Sequence, residues 1–100
     1  MEQFIYHVVL PEYWSNFLEK EAYKAATFEE EGFIHCCTKE QIHYVLTTYF
    51  KANNEIVLLK INVGLLTSKL KTELANGQFF PHIYGPINKD AIVSVEQITQ

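Results

Sequence analysis

The 100-residue chain contains no arginine, because all eight of its basic residues are lysine. The bidentate arginine clamps that often hold phosphate or carboxylate groups are therefore unavailable, and only lysine point charges remain. Twelve acidic residues give a formal net charge of -4. This excess argues against a nucleic-acid backbone as the main partner, because such binding needs clustered positive charge.

Cysteine is scarce as well, with only the adjacent pair Cys36 and Cys37. Neighbouring cysteines make a poor disulfide framework, so the sequence favours a reduced, cytoplasmic setting. No apolar run approaches the roughly 18 residues of a membrane-spanning helix. The N-terminus also lacks the charged segment followed by an apolar one that is typical of a signal peptide. We therefore expect a cytoplasmic protein without a membrane partner.

The chain does contain enough apolar residues for a single folded domain over residues 1–100. Its composition, 48% hydrophobic and 20% charged, is typical of globular proteins. A domain of this size buries roughly 60–68% of its unfolded surface, so a core can form without disulfides or metal. Apolar strands that alternate with helices and are followed by further strands predict an α+β fold with a mixed sheet.

Hydrophobic periodicity and capping residues place the elements. Strands are predicted over 4–9, 33–36, 56–61, 82–84 and 91–95. A helix from Pro11 puts Trp14, Phe17 and Leu18 on one face, and Thr27 begins a short helical turn that ends at Gly32. The clearest helix follows a capping box formed by Thr38 and Gln41, with apolar residues at positions i, i+3, i+4 and i+7: Ile42, Val45, Leu46 and Tyr49. Residues 63–78 are mixed, with short packed turns at Leu65-Leu66 and Leu70 and a sharp turn at Asn76-Gly77.

The run from Phe79 to Pro86 carries the most informative pattern, since it sets a histidine into a short strand between two prolines. His82 and Tyr84 point to one face of such a strand. Pro81 removes a backbone donor, which favours an edge or the mouth of a site. An imidazole beside a phenol suits a polar ligand or proton transfer. The alternative is an edge strand packed by aromatic rings, with His82 bonded to a backbone carbonyl.

A second histidine, His35, lies in a strand that runs into the helix capped by Thr38. Backbone N–H groups at that helix start could bind a phosphate or carboxylate, or Thr38 could only cap the helix. His7 shares its strand face with Ile5 and Val9, which is typical of a core histidine. We nevertheless expect His7, His35 and His82 to approach one concave surface.

Carboxylates and cysteines offer further candidates. Glu73 precedes the Asn76-Gly77 turn and could return beside the His82 strand, whereas Glu29-Glu30-Glu31 looks like a solvated run. Adjacent cysteines in a strand point to opposite faces and can hardly bind one ion, so no metal is expected. A nucleophilic Cys36 or Cys37 stays possible, although buried cysteine is commonly inert.

Residues spread over nearly the whole chain resemble a family named domain of unknown function 952, small bacterial and plant proteins without an established activity. The matching residues are Tyr6-His7-Val8-Val9, Trp14, Tyr23, 31–36, Thr38, Gln41, Leu58-Leu59, Glu73 and 80–86. The usual family form has serine where this chain has Cys37. The family is grouped by fold with ADP-ribosyltransferase-like enzymes, which include NAD-dependent tRNA 2'-phosphotransferases.

The resemblance implies a split mixed sheet that grips a dinucleotide, with NAD as the cofactor or substrate. In that class a first-strand histidine touches the ribose, an aromatic ring flanks the nicotinamide, and a carboxylate stabilises the forming sugar cation. The matching catalytic candidates are His7, Tyr84 and Glu73, with His35, Thr38, Gln41 and His82 as ligand-binding candidates. Two functions follow as expectations: an enzyme that acts on NAD or a related nucleotide, or a non-catalytic module that binds a small nucleotide or another anionic metabolite.

Overall fold

The computed structural model describes residues 2–100 as strands and short helices joined by tight turns. The strands are β1 Phe4–Val9, β2 Ala22–Tyr23, β3 Ile34–His35, β4 Glu55–Asn62, β5 Lys69–Ala75, β6 Gln78–Tyr84, β7 Ile87–Asn88 and β8 Ile92–Thr99. The helices are α1 Pro11–Trp14, α2 Phe28–Glu31 and α3 Ile42–Tyr49, with 3₁₀ turns at Ser15–Phe17, Lys39–Gln41, Val63–Leu65 and Lys89–Ala91. The predicted α+β class is confirmed for this one compact domain.

The strands form three sheets, ordered β1-β4-β8, β2-β7 and β3-β6-β5. Every strand pair within residues 2–100 is antiparallel, so the expectation of a mixed sheet is wrong. The physical reason lies in the connections. A parallel pair needs a long crossover, whereas antiparallel neighbours can be joined by a turn of two residues, and Asn76-Gly77 joins β5 to β6 in this way.

Strand β4 lies at the centre of the first sheet and is buried on both faces. Val57, Leu59 and Ile61 pack on one side into the larger core. On the other side, Ile56 and Leu58 meet the apolar face of α3. Because these residues alternate along the strand, the first sheet separates two hydrophobic clusters. The predicted strand and helix are both confirmed at these positions.

Several element predictions need correction. Leu18 is 62% exposed and Tyr49 is 52% exposed, because each lies at or beyond the end of its helix and does not face the core. The stretch that looked like packed turns contains strand β5. Its charged residues alternate with Leu70, Thr72 and Leu74, and its partially exposed position at the edge of a sheet explains why few apolar residues mark it.

Pro81 lies in β6, the central strand of its sheet. Because proline has no N–H, the sequence predicted an edge position instead. The carbonyl of Pro81 accepts a hydrogen bond from the Cys36 N–H at 3.0 Å. The N and C=O groups of one strand residue face the same neighbour, so the proline nitrogen faces the end of the two-residue strand β3. The ladder between β5 and β6 therefore loses no donor, and β6 tolerates a proline at its centre.

None of the helices within residues 2–100 combines the length and the apolar character needed to cross a bilayer.

Two glycines test the turns that frame β6. Gly77 has a φ of +81° with open space around it, whereas Gly85 has a φ of +155° and a Cβ there would clash with Ser68 Oγ. We expect Gly77→Ala to lower the free energy of unfolding by about 1 kcal/mol through backbone strain alone. Gly85→Ala should cost clearly more, because Ser68 must also release its hydrogen bond to the Pro86 carbonyl. Urea unfolding of both variants measures this, and equal losses would contradict it.

Candidate functional site

The outer face of the β3-β6-β5 sheet carries a compact group of polar and aromatic side chains. We call it the histidine cluster; its members are Glu31, Phe33, His35, Glu73, His82 and Tyr84. Strand pairing brings these residues together. His35 on β3 lies opposite His82 on one side of β6, and Lys71 on β5 lies opposite His82 on the other side. The intervening residues Ile34 and Ile83 point to the opposite face and are fully buried. One face of the sheet thus builds the core while the other gathers titratable groups.

Glu73 lies beside the His82 strand, as the turn at Asn76-Gly77 predicted. One oxygen, Oε1, accepts hydrogen bonds from Tyr84 OH at 2.5 Å and from His82 Nδ1 at 2.8 Å. These two donors, Tyr84 first, hold the pKa of the Glu73 carboxyl below its ordinary value. The side chain is 38% exposed. The site therefore presents an anionic, positioned carboxylate at neutral pH.

Tyr84 uses its hydroxyl inside the cluster. The hydroxyl donates to Glu73. The same hydrogen bond to an anion raises the pKa of the Tyr84 phenol, since it favours the protonated form. The Lys71 ammonium lies 4.9 Å from the centroid of the Tyr84 ring, within range of a cation–π contact. The phenol thus acts as a donor to Glu73 and as a platform for a lysine.

His82 is the most buried member of the cluster, with only 4% of its surface exposed. A carboxylate can only accept, so the bond to Glu73 places the proton of the neutral ring on Nδ1. The other nitrogen, Nε2, is buried and has no hydrogen-bond partner within residues 2–100. The Phe33 ring stacks on His82 with centroids 4.2 Å apart and planes 21° apart. The ring is therefore held by Glu73 at one edge and covered by Phe33 on one face.

His35 forms a second carboxylate–histidine pair. Its Nε2 lies 3.0 Å and 3.1 Å from the two carboxylate oxygens of Glu31, and its ring centroid lies 5.2 Å from that of His82. The hydrogen bond to His35 is the largest cause of the lowered pKa of Glu31. Gly32 ends α2 in the left-handed conformation and turns the chain between the two partners.

Sequence reasoning missed two members of the cluster, Glu31 and Phe33. The sequence pattern indicates a solvated run for Glu31 and only the start of a strand for Phe33. A signal for Glu31 exists in its spacing, four residues before His35 with a helix-ending glycine between them. Phe33 gives no such signal, because an aromatic residue at a strand start is most often read as core.

His7 does not join the cluster, contrary to the expected convergence of three histidines. It is buried in the core, where its Nδ1 donates to the His35 carbonyl at 2.6 Å and its Nε2 accepts from Tyr23 OH at 2.8 Å. Both ring nitrogens are thus used, and burial lowers the pKa of His7 to about 4. The ring is neutral at pH 7 and links β1 to the backbone of β3. The structure therefore supports the interpretation of His7 as a core histidine.

Thr38 and Gln41 connect the cluster's sheet to α3. Gln41 Oε1 accepts from the Thr38 N–H at 3.0 Å, as a capping box predicts. Gln41 Nε2 donates to the Phe79 carbonyl at 2.9 Å and to Gln78 Oε1 at 3.3 Å. The amide is therefore engaged in holding the start of β6 against the helix start. This arrangement favours the capping interpretation over an anion site at Thr38.

Both cysteines are buried and unpaired. Burial raises the pKa of Cys37 to about 12 and that of Cys36 well above its ordinary value. The thiols are protonated at neutral pH, which removes support from a cysteine nucleophile. Among the described residues, no three histidine, cysteine or acidic side chains converge as metal ligands. Folding without a metal stays a prediction.

Two surface hollows lie away from the histidine cluster. One of about 430 Å³ is lined by Ser15, Asn16 and 18–20, and one of about 370 Å³ by Glu2, Gln3 and 62–65. Both are open, and the chemistry of the cluster, with two carboxylate–histidine pairs in contact, makes it the stronger candidate.

Comparison with known proteins agrees with this fold. The chain belongs to the family described as protein of unknown function DUF952, whose family model matches residues 8–95. A crystal structure of protein CC0527 from Caulobacter crescentus is 25% identical, with a TM-score of 0.84 over 95% of this chain and 85% of that chain. Its solution NMR structure is 24% identical, with a TM-score of 0.80 over 96% and 84%. No curated protein matches significantly. All six residues of the histidine cluster lie within the matched range.

Burial of His7 predicts an acid-sensitive stability. Its pKa is about 4 in the folded state against 6.5 ordinarily, so the unfolded chain binds more protons between these values. The free energy of unfolding should fall by about 2–3 kcal/mol from pH 6.5 to pH 4.5 through this residue. The Glu31 and Glu73 carboxyls also have lowered pKa values, but their contribution to the free energy of unfolding is lost only below the ordinary value of 4.5. Their effect on stability therefore lies below the pH range of the His7 effect.

Denaturant unfolding across this pH range measures the slope. His7→Gln should be less stable at pH 7 and should show a flatter slope than the native chain, whereas exposed His43→Gln should keep the native slope. A native slope in His7→Gln would show that another group carries the effect.

The Tyr84 hydroxyl should control the charge of Glu73. We expect Tyr84→Phe to raise the Glu73 carboxyl pKa, because one of its two donors is lost, while the retained ring leaves the packing in place. Carbon-13 NMR titration of the carboxyl groups measures the shift. Tyr13→Phe is the matched control, since Tyr13 OH donates to the distant Lys24 carbonyl. An unchanged Glu73 pKa in Tyr84→Phe would mean that the hydroxyl contributes nothing to this site.

Proposed function

We propose that this protein is an enzyme that acts on NAD or a related nucleotide, by glycosidic cleavage or ADP-ribosyl transfer. Glu73 is the observation that carries the proposal. Its Oε1 is held by Tyr84 and His82, and its side chain is 38% exposed. A carboxylate fixed before reaction stabilises a forming sugar cation without having to reorient, which is the main way that an enzyme lowers such a barrier.

Aromatic rings and lysines around Glu73 support a nucleotide as the substrate class. Phe33 and Tyr84 lie with ring centroids 5.4 Å apart and offer faces on which a nicotinamide or a base can stack. Lys69 and Lys71 pair with Tyr84 and His82 across β5 and β6. Both lysines are exposed, so they can serve as point charges for phosphates in a chain without arginine.

Kinship with ADP-ribosyltransferase-like enzymes is part of the same proposal. In that class a carboxylate stabilises the sugar cation and an aromatic residue flanks the nicotinamide, and Glu73 and Tyr84 offer these groups. The internal hydrogen bonds of His7 support no ribose contact. Because one fold can host unrelated activities, the proposal depends on the site and not on the kinship.

Release of nicotinamide from NAD, followed by chromatography, tests the activity. We expect Glu73→Gln to lower turnover by about 100-fold or more, because the amide keeps the shape and removes the charge. Glu96→Gln changes an exposed glutamate on β8 and should leave turnover unchanged. Equal turnover in Glu73→Gln and the native protein would reject the role of this carboxylate.

A binding module for a small nucleotide or anionic metabolite is the second candidate. The exposure of the cluster favours it, because the side chains of Glu73 and His35 are 38% and 51% exposed and catalysis commonly needs a site that excludes water. Thermal-shift and titration measurements with nucleotides decide between the two. Saturable binding that Lys71→Gln weakens, with no product from any nucleotide, would establish the module and reject the enzyme.

A further inference from the structure

Phe33 has an unusual environment for a phenylalanine. Phe33 belongs to neither of the two hydrophobic clusters that the described residues form. Its ring instead contacts the polar rings of the cluster, with centroid distances of 4.2 Å to His82, 4.8 Å to His35 and 5.4 Å to Tyr84. The residue directly follows the left-handed Gly32 and is half-buried. Since this apolar ring lies outside both core clusters and against polar rings, its position calls for another explanation.

The imidazole on which Phe33 stacks carries the one buried side-chain nitrogen or oxygen within residues 2–100 that lacks a partner, His82 Nε2. Burying a polar atom without a hydrogen bond opposes folding. With the Nδ1 proton donated to Glu73, Nε2 of the neutral ring carries a lone pair. The structure therefore keeps a proton acceptor ready and shields it from water.

The other histidines do not offer such an atom. Both nitrogens of His7 are bonded in the core, and His35 Nε2 is bonded to Glu31. His43 lies exposed on α3, outside the cluster. His82 is thus distinguished from the remaining histidines by a buried nitrogen with no partner and a carboxylate that orients the ring.

We propose that His82 is the proton acceptor of this site and that Phe33 is its removable cover. This inference rests on the proposed function and names the group that activates the nucleophile. When Phe33 swings away, a water molecule or an acceptor hydroxyl can reach Nε2.

The proposed step applies to an N-glycoside whose base is cationic, such as nicotinamide in NAD. The nucleophile oxygen forms a bond to the anomeric carbon as the bond from that carbon to the ring nitrogen breaks. The bonding electrons leave with the base, which departs neutral. The proton of the nucleophile passes to His82 Nε2 and then to solvent, while the Glu73 carboxylate stabilises the imidazolium and the sugar cation.

Chemical modification tests whether Phe33 covers His82, and it requires no substrate. Diethyl pyrocarbonate acylates accessible, unprotonated imidazole nitrogens, and peptide mass spectrometry follows each histidine separately. We expect His82 to react slowly in the native protein and about tenfold or more faster in Phe33→Ala, because the cover is removed. The exposed His43 provides an internal standard that should react equally in both proteins.

Phe79→Ala is the matched control, since Phe79 is a 63% exposed phenylalanine on the same strand as His82. It should leave the His82 rate at the native value. A His82 that reacts as fast as His43 in the native protein, or that is not accelerated in Phe33→Ala, would overturn the role of Phe33 as a cover.

Turnover of NAD tests the proton acceptor. We expect His82→Gln to lower kcat by about 100-fold with little change in KM, because it removes the acceptor and leaves the binding surface. Circular dichroism and the reactivity of His43 report whether the variant is folded. Native turnover in His82→Gln would overturn the inference and leave the proposed function standing. Absence of turnover in the native protein would overturn the proposed function and the acceptor role together.

Discussion

The pairing of β6 with β5 on one side and with β3 on the other organises both the core and the histidine cluster. Residues of β6 alternate between the two faces, so Ile83 enters the core while His82 and Tyr84 point outward. The same register brings Glu73 and His35 to His82 from two neighbouring strands. A slip of one residue would exchange the two faces, burying the charges and exposing the isoleucines. Core formation therefore enforces the geometry of the cluster.

The cluster does not stabilise the fold in proportion to its contacts. The pair formed by His35 and Glu31 is partly exposed, with 51% and 38% of the side chains accessible, and such pairs contribute little. The unpartnered His82 Nε2 opposes folding. Groups arranged with little benefit to stability are typical of functional sites, where strain and unsatisfied groups are retained for chemistry.

The two buried histidines show how differently one side chain can be used. His7 and His82 are 6% and 4% exposed, and each lies in a strand with apolar neighbours. Two hydrogen bonds satisfy His7, and burial keeps its ring neutral by lowering its pKa to about 4. His82 has one hydrogen bond, to a carboxylate, and one free nitrogen. Hydrogen-bond partners, rather than burial, distinguish the structural ring from the proposed reactive one.

The sequence by itself determined the local elements. Apolar runs marked β1 and β4, Gly32 and the pair Thr38 and Gln41 marked helix ends, and Asn76-Gly77 marked the turn that returns Glu73 to β6. These signals are local, because periodicity, capping and turn chemistry act over a few residues. Only the tertiary structure decided that β5 is a strand and that β6 is central. It also decided that His7 bonds inward to Tyr23 and that Phe33 covers His82. These depend on partners distant along the chain, whose strand order and register no local pattern specifies.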